Sequence, residues 1–421
     1  MSISQNFPNT RPSLNLNFAR SKTLDPRITF SRPQTGNGVT YVGEDGLIKY
    51  VSADEPRFDH DPETGECLGL LVEEQRSNLL TYSEQFDNWT VTNGSITPNI
   101  ATAPDGTTTA DKLVENSSTG NKEVNQGNVT YTSGTSLTIS CFAKAAGRTR
   151  FRFAGTSERF DSGTNAYFDL STGTVVTTTG GMTSASITPY PNGWYRCTAT
   201  MLPTSSGTSN VFITLVNTGT TSNYTGDGSS GIYLWGAQLE RKLFATSYMP
   251  TSSGQGDRGV DNAYMTDDNF SDWYNQSEGT FYANSTTNVS PNLFSGSIQP
   301  AILYATDGTS NNRIGMFYGP VNSIYTRIVS NGVQYGPSES IIGSINTTKS
   351  IISYKTGTNG GGASINGSVV KLSTPNLLPA VNKLVIGIQA TSNFGVLNGT
   401  MSQLTYYPTR LTNAQLQNLT K

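Results

Sequence analysis

The sequence holds a single imidazole. His60 stands between two carboxylates in Arg57-Phe58-Asp59-His60-Asp61, so any Ser-His-Asp or Cys-His mechanism, and any multi-histidine metal site, has to run through it. An adjacent carboxylate can orient the ring. The plainer reading is a turn or edge-strand residue, bonded locally or facing a subunit contact. Glycoside hydrolysis instead needs two carboxyl groups held roughly 5–9 Å apart across the bond to be cleaved. Between residues 280 and 421 the only carboxylic side chains are Asp307, in an Asp-Gly turn, and Glu339, in a Pro/Ser loop. Both read as solvated loop residues, and no catalytic residue is assigned.

Three cysteines, Cys67, Cys141 and Cys197, make an odd count without short spacing. Neither a zinc site nor a disulfide framework is indicated, and buried reduced thiols are the default reading. Asp227 in Gly226-Asp227-Gly228 is a weak candidate for a structural Ca²⁺ through oxygen ligands, against an ordinary turn. No cofactor is expected. Sugar binding needs aromatic faces and amide or hydroxyl donors, and the last third supplies Tyr264, Tyr274, Tyr282, Tyr304, Tyr318, Tyr325, Tyr335 and Tyr354 among Asn and Ser. Tyr304, Tyr318 and Tyr325 are the candidates for ligand contact; Trp194 and Trp235, inside strand patterns, read as core.

The elements that must position these residues are strands. Of 421 residues only 14% are charged, with 27 Lys+Arg against 30 Asp+Glu, while aromatics reach 10%. That is not the composition of a disordered chain. A net charge of −3 without a long basic run argues against nucleic acid as a partner. No stretch approaches a membrane span, and the opening residues lack the apolar core of a secretory signal, so a soluble protein made in a cytosol is expected.

Period-two alternation marks the strands. Leu137, Ile139, Cys141 and Ala143 share one face, as do Tyr195, Cys197, Ala199 and Met201; Val211, Ile213 and Leu215; and Tyr233, Trp235, Ala237 and Leu239. Asn366-Gly367 and Asn398-Gly399 are hairpin signals. The chain closes with one short helix, capped by Thr412 with Gln415 as capping-box partner and Leu411 and Leu416 at the staple positions. Four segments result: a strand-rich region over 1–81 with little to bury by itself, a sandwich or jelly roll over 82–250, an acidic Ser/Gly-rich linker over 251–268, and a second sandwich over 269–421.

The run from Pro56 to Glu66, then Gly69-Leu70-Leu71-Val72-Glu73-Glu74-Gln75-Arg76-Ser77-Asn78 onward to Trp89, resembles virion surface proteins of tailed phages, of the tail-fibre and head-fibre type. Leu24 to Arg32 is similar to the opening strand of that family. Asn192-Gly193-Trp194-Tyr195-Arg196, and Gly231 to Glu240 continuing to Thr246-Ser247-Tyr248-Met249-Pro250-Thr251, resemble a jelly-roll module of the carbohydrate-binding type. From Asn269 to Lys421 the chain is similar to concanavalin A-like lectin/glucanase sandwiches, although their Glu-x-Asp-x-x-Glu strand motif is missing.

The fold class implied is all-β: an N-terminal β meander, a jelly-roll β-sandwich and a C-terminal concanavalin A-like β-sandwich with one short helix. The function implied is that of a non-enzymatic virion component, a tail fibre or other fibre subunit. Head-fibre or decoration protein and free-standing lectin are the alternatives. Its partners would be other virion proteins, two further copies of itself in a trimer, and host surface polysaccharide. Assembly or docking is expected to run through Arg57, Phe58, Asp59, His60, Asp61 and Arg76.

Overall fold

The computed structural model describes residues 8–36, 38–289, 299–320, 323–336, 340–341, 347–389 and 395–421. The chain is all-β, with antiparallel strands in four large sheets paired as two sandwiches. In the first sandwich one six-stranded sheet runs in the order Met182–Tyr190, Trp194–Met201, Leu137–Ala146, Gly231–Arg241, Ala110–Glu115, Gly94–Ala101. Facing it, Thr174–Thr179, Asn165–Asp169, Arg150–Gly155, Gly207–Val216, Glu123–Tyr131 and Thr90–Thr92 form the other. Leu137, Ile139, Cys141, Cys197, Ala199, Met201, Val211, Ile213 and Leu215 fill the space between them, as their alternation predicts.

One predicted face breaks. Ile232, Leu234, Ala237 and Leu239 point into that core, whereas Trp235 points out of it with Tyr233 beside it. The register slips between Ser140 and Phe142, and Gly236 takes φ +64°. A β-bulge at a residue that tolerates left-handed backbone reverses the alternation halfway along the strand. Trp235 thereby joins Trp194, Phe142 and Tyr248 in a second apolar cluster on the outer face, roofed by Val42 and Ile48 of the Val39–Val42/Ile48–Val51 hairpin.

In the second sandwich one eight-stranded sheet runs Lys371–Ser373, Gly361–Ile365, Thr348–Lys355, Glu278–Thr287, Gly399–Tyr407, Cys67–Val72, Phe58–His60. Its eighth strand, Leu14–Asn17, pairs with the far half of Gly399–Tyr407. The opposing sheet begins Thr29–Ser31, Asn262–Thr266, Lys383–Ile386, Ala301–Thr306, Arg313–Gly319, Ser323–Ser330. Leu14–Asn17, Thr29–Ser31, Phe58–His60 and Cys67–Val72 are thus built into the two sheets of the C-terminal sandwich, where Leu14, Leu16, Phe58, Leu70 and Val72 join its core. A segment with little to bury by itself completes a core laid down by residues far along the chain. The stretch 251–268, expected as a linker, contributes Gly256–Arg258, paired with Arg76–Asn78, and Asn262–Thr266.

Asn366 and Gly367 both take positive φ, and Ser368 N donates to Ile365 O across the turn. Asn398-Gly399 is not a hairpin turn. Asn398 is left-handed, but Gly399 opens a central strand, where a Cβ would stand 2.0 Å from Thr286 O. The glycine answers a close backbone approach rather than a turn. The Asn413–Leu419 helix is closed by the Thr412/Gln415 capping box, and Leu411 and Leu416 pack with Tyr282 and Ile351 on the outer face of the sheet.

Candidate functional site

Two of the residues expected to drive assembly, Arg57 and Arg76, lie instead in a buried junction between the two sandwiches of one chain. Arg57, Arg32, Arg258 and Asp261 are fully buried and Glu73 nearly so. Arg57 lies 2.8 Å from Glu73 Oε2 and 2.5 Å from Asp261 Oδ2; Arg258 lies 3.1 Å from Glu73, and Arg32 3.3 Å from Asp261. Ser247, from the C-terminal end of the jelly roll, donates through N and Oγ to Glu73 at 2.8 and 2.7 Å. Burial would raise the Glu73 carboxyl, but Arg258 and Arg57 outweigh it and hold it down at about 2. Next to this cluster Arg76 forms an ion pair with Glu74 at 2.6 Å and lies 4.6 Å over the Phe244 ring, while Asn78 uses Nδ2 on Ala237 O and Met249 O and Oδ1 on Leu80 N and Leu239 N. The charges are met by ion pairs, while the Nε atoms of Arg32, Arg57, Arg76 and Arg258 have no hydrogen-bond partner among the described residues.

Of the residues expected at an assembly surface, Asp59 and Asp61 are half-exposed. Arg57, Phe58, His60 and Arg76 are buried within the chain and present no docking face. His60 Nδ1 lies 2.9 Å from Val42 O, and Nε2 has no partner among the described residues. Asp61 accepts from Glu63 N and Thr64 N in its own turn, and Asp59 accepts from Val42 N at 2.7 Å, so no carboxylate orients the imidazole through these bonds.

Of the three sugar candidates the structure buries two. Tyr318 is fully buried and its hydroxyl lies 3.1 Å from Ser285 Oγ and Ser285 O. Tyr304 is buried on the outer face of its sheet, in a ladder in which Phe317 stacks between Tyr304 and Tyr325, with Arg327 4.4 Å over Phe317 and Arg313 5.6 Å over Tyr304. Only Tyr325 of the three is half-exposed, with an edge of its ring where a Cβ at Gly319 would stand. Asp307 is the turn residue expected, accepting from Thr309 and Asn312; Glu339 lies outside the described residues.

Asp227 also caps its own turn, accepting from Ser229 N and Oγ and from Ser230 N and Oγ, which hold its carboxyl far below the usual range. No group of three or more His, Cys, Asp or Glu that could hold a metal occurs among the described residues. Beside this turn a side chain supplies a positive charge: the buried Lys122 ammonium donates to Ser118 O, Gly120 O and Tyr224 O at 2.7, 2.8 and 2.6 Å. Cys141 and Cys197 face one another across paired strands, buried and not joined by a disulfide. Burial pushes the Cys141 thiol up to about 12.

What sequence reasoning missed is a groove of about 1060 Å³ between the sandwiches. Its floor is the outer face of Met182–Tyr190, Trp194–Met201 and Leu137–Ala146, where the register sets Ser184, Thr200 and Thr138 in one row and Ser186, Thr198 and Ser140 in the next. These hydroxyls bond one another, Ser186 to Thr198 at 2.5 Å and Thr138 to Thr200 at 2.8 Å. Thr188 and Arg196 form the third row; Arg196 Nη2 donates to Thr246 O at 2.7 Å, and its Nε has no partner among the described residues. Phe244 and Ala245 line one wall, and Thr286, Thr287 and Asn288 of the second sandwich the other. The signal was the alternation of Ser and Thr along 184–188, legible as an outward face but silent on what stood opposite.

No family model matches this chain, and no curated protein does. Among solved structures, domain 4 of the extracellular arabinanase AbnA from Geobacillus stearothermophilus, in complex with arabinotriose, aligns at 15% identity with a TM-score of 0.29 over 43% of this chain and 84% of that one. Trypanosoma rangeli sialidase, in complexes with sialic acid and with a difluoro-KDN, aligns at 10% and 11% identity with TM-scores of 0.29, over 74% of this chain and 60% of the sialidase. At such scores none of these likenesses bears on fold or activity, and no family is assigned to this chain.

Proposed function

We propose that this chain is a non-enzymatic surface subunit of a tailed-phage virion that holds a neutral host-surface glycan in the groove between its two sandwiches. The observation that carries the reading is the groove floor, a face of mutually bonded hydroxyls with one guanidinium. Hydroxyls that both donate and accept match a polyhydroxyl chain, and a preformed polar floor loses little entropy on binding. The virion role rests on the resemblance of residues 56–89. Those residues supply much of the junction that fixes one sandwich against the other, a rigidity suited to a displayed subunit. Hydrolysis is not part of this reading, because the groove brings no pair of carboxylates across a bound chain.

Calorimetric titration of the full chain with soluble neutral polysaccharides tests the glycan, with Ser186→Trp as the variant that fills the groove. Saturable binding that the variant loses is expected; absence of binding to every neutral polysaccharide overturns the reading. Antibodies raised to the chain should label intact particles, and a tail or head position of the label separates fibre from decoration subunit. Native mass tests the trimer: a binding monomer absent from particles is a free-standing lectin instead.

A further inference from the structure

The groove does not end blindly in backbone. At its inner end Tyr190, Arg196, Ala245 and Asn288, which line the groove, also line a second cavity of about 150 Å³ that reaches Asp59 beneath the Val39–Val42 hairpin strand. Its wall also includes Thr40–Val42, Ile48, Leu71 and the segment Thr246–Tyr248. The long groove is lined by hydroxyls; the small cavity is where the lining first offers a carboxylate not enclosed by arginines. Glu73 also borders the cavity, but its oxygens are taken by Arg57, Arg258 and Ser247. Asp59 by contrast accepts from Val42 N through Oδ1 at 2.7 Å and remains partly exposed.

Resting on the glycan reading above, we propose that this inner cavity is an end site: it receives the terminal sugar ring of the chain lying in the groove, with Asp59 accepting hydrogen bonds from two neighbouring hydroxyls of that ring. A carboxylate is the side chain best suited to two adjacent hydroxyl donors, because charge-assisted bonds are about twice as strong as neutral ones. Arg196, standing where groove meets cavity, donates from the other side, and the small volume admits one ring and stops the chain. The site therefore reads chain ends, whereas the hydroxyl floor reads the chain's length without regard to its ends.

The test uses the full chain and linear neutral glucan, mannan and arabinan fragments of graded length, with Asp59→Asn beside Ser186→Trp. Asp59→Asn keeps an oxygen for Val42 N; Asp59→Ser is the second variant, and thermal melting identifies which retains the fold. Loss of binding in Ser186→Trp, together with a drop of about ten- to hundredfold in affinity on removing the Asp59 charge, is the expected result. If Ser186→Trp abolishes binding while the Asp59 variants bind within about twofold of the parent, the end site is overturned and the groove reading stands. If the parent binds none of the fragments, both fall together.

Discussion

Arg57 Nη2 lies 2.5 Å from Asp261 Oδ2, although 204 residues separate the two along the chain. Neither side chain touches solvent. Asp261 also accepts from Glu73 N at 2.8 Å and faces Arg32, so one aspartate ties the N-terminal strands, the end of the Cys67–Val72 strand and the segment leading into the second sandwich.

Truncating one partner of this cluster leaves an uncompensated buried charge. Arg57→Ala and Asp261→Ala are each expected to destabilise by about 3–5 kcal/mol, read as a fall in the urea midpoint. The paired change to Met and Leu should recover only part of the loss, since apolar packing replaces that pair but leaves the buried Arg32 without its carboxylate. A loss below about 1 kcal/mol in either single variant is the value of an exposed ion pair and would contradict the burial.

Removal of residues 8–72 tests the shared sandwich. Leu14, Leu16, Phe58, Leu70 and Val72 leave the second core with them, and one edge of Gly399–Tyr407 loses both of its partners. The shortened chain should lose the near-ultraviolet dichroism of the second sandwich while the first, whose core lies wholly within residues 80–239, still melts cooperatively. A shortened chain with both signals intact would show that the N-terminal strands are accessory.

Much of this architecture was legible in local pattern, and the part that was not is non-local. The face of Leu137, Ile139, Cys141 and Ala143 and the capping box at Thr412 depend on neighbours within a few residues, so spacing reveals them. Whether Arg57 meets a partner subunit or Asp261 depends on chain closure across two domains, which no spacing records. The bulge at Gly236 fell between these cases: the glycine was visible, but its φ is selected by packing Trp235 under the hairpin. The groove was illegible because its second wall, Thr286–Asn288, comes from another sandwich.

Lys122 should behave as an internal cation. Replacing it by Met leaves the buried Tyr224 O and the part-buried Ser118 O and Gly120 O facing an apolar side chain, and a buried carbonyl without a donor costs about 1–3 kcal/mol before relaxation. Thermal melting of Lys122→Met should show a loss of about 2–4 kcal/mol, and Lys122→Arg should rescue little, because a planar fork does not match three converging carbonyls. A Met variant as stable as the parent would mean that water reaches all three oxygens.

Acid sensitivity follows from Glu73. Its folded carboxyl lies at about 2, below the ordinary 4.5, because Arg258 and Arg57 outweigh the burial that would raise it. A depressed carboxylate contributes stability fully present above its unfolded value and lost as pH falls through the folded one. The parent should therefore lose stability between about pH 4.5 and 2. Glu73→Gln, lacking that titration, should show a flatter profile in the window from a lower starting stability. Parallel profiles would place the acid transition on other carboxylates.

Asp59 has the opposite sign. Burial, opposed by the Val42 amide and reinforced by the Glu73 charge, pushes its carboxyl up to about 6 from 3.8. The folded chain binds a proton here more tightly than the unfolded one, so between about pH 3.8 and 6 this group makes stability fall as pH rises. Above pH 6 the ionised carboxylate is a net cost, of the order of 1–3 kcal/mol once its partial exposure is allowed for. Asp59→Asn should then be more stable than the parent at pH 7, with the difference shrinking to nothing near pH 4, as followed by urea midpoints across that range. A variant that gains stability while losing glycan affinity is the pattern of a group kept for binding at the expense of folding. If Asp59→Asn is instead less stable than the parent at pH 7, the carboxylate is held by interactions that favour its charge, and its place is with Glu73 as part of the junction.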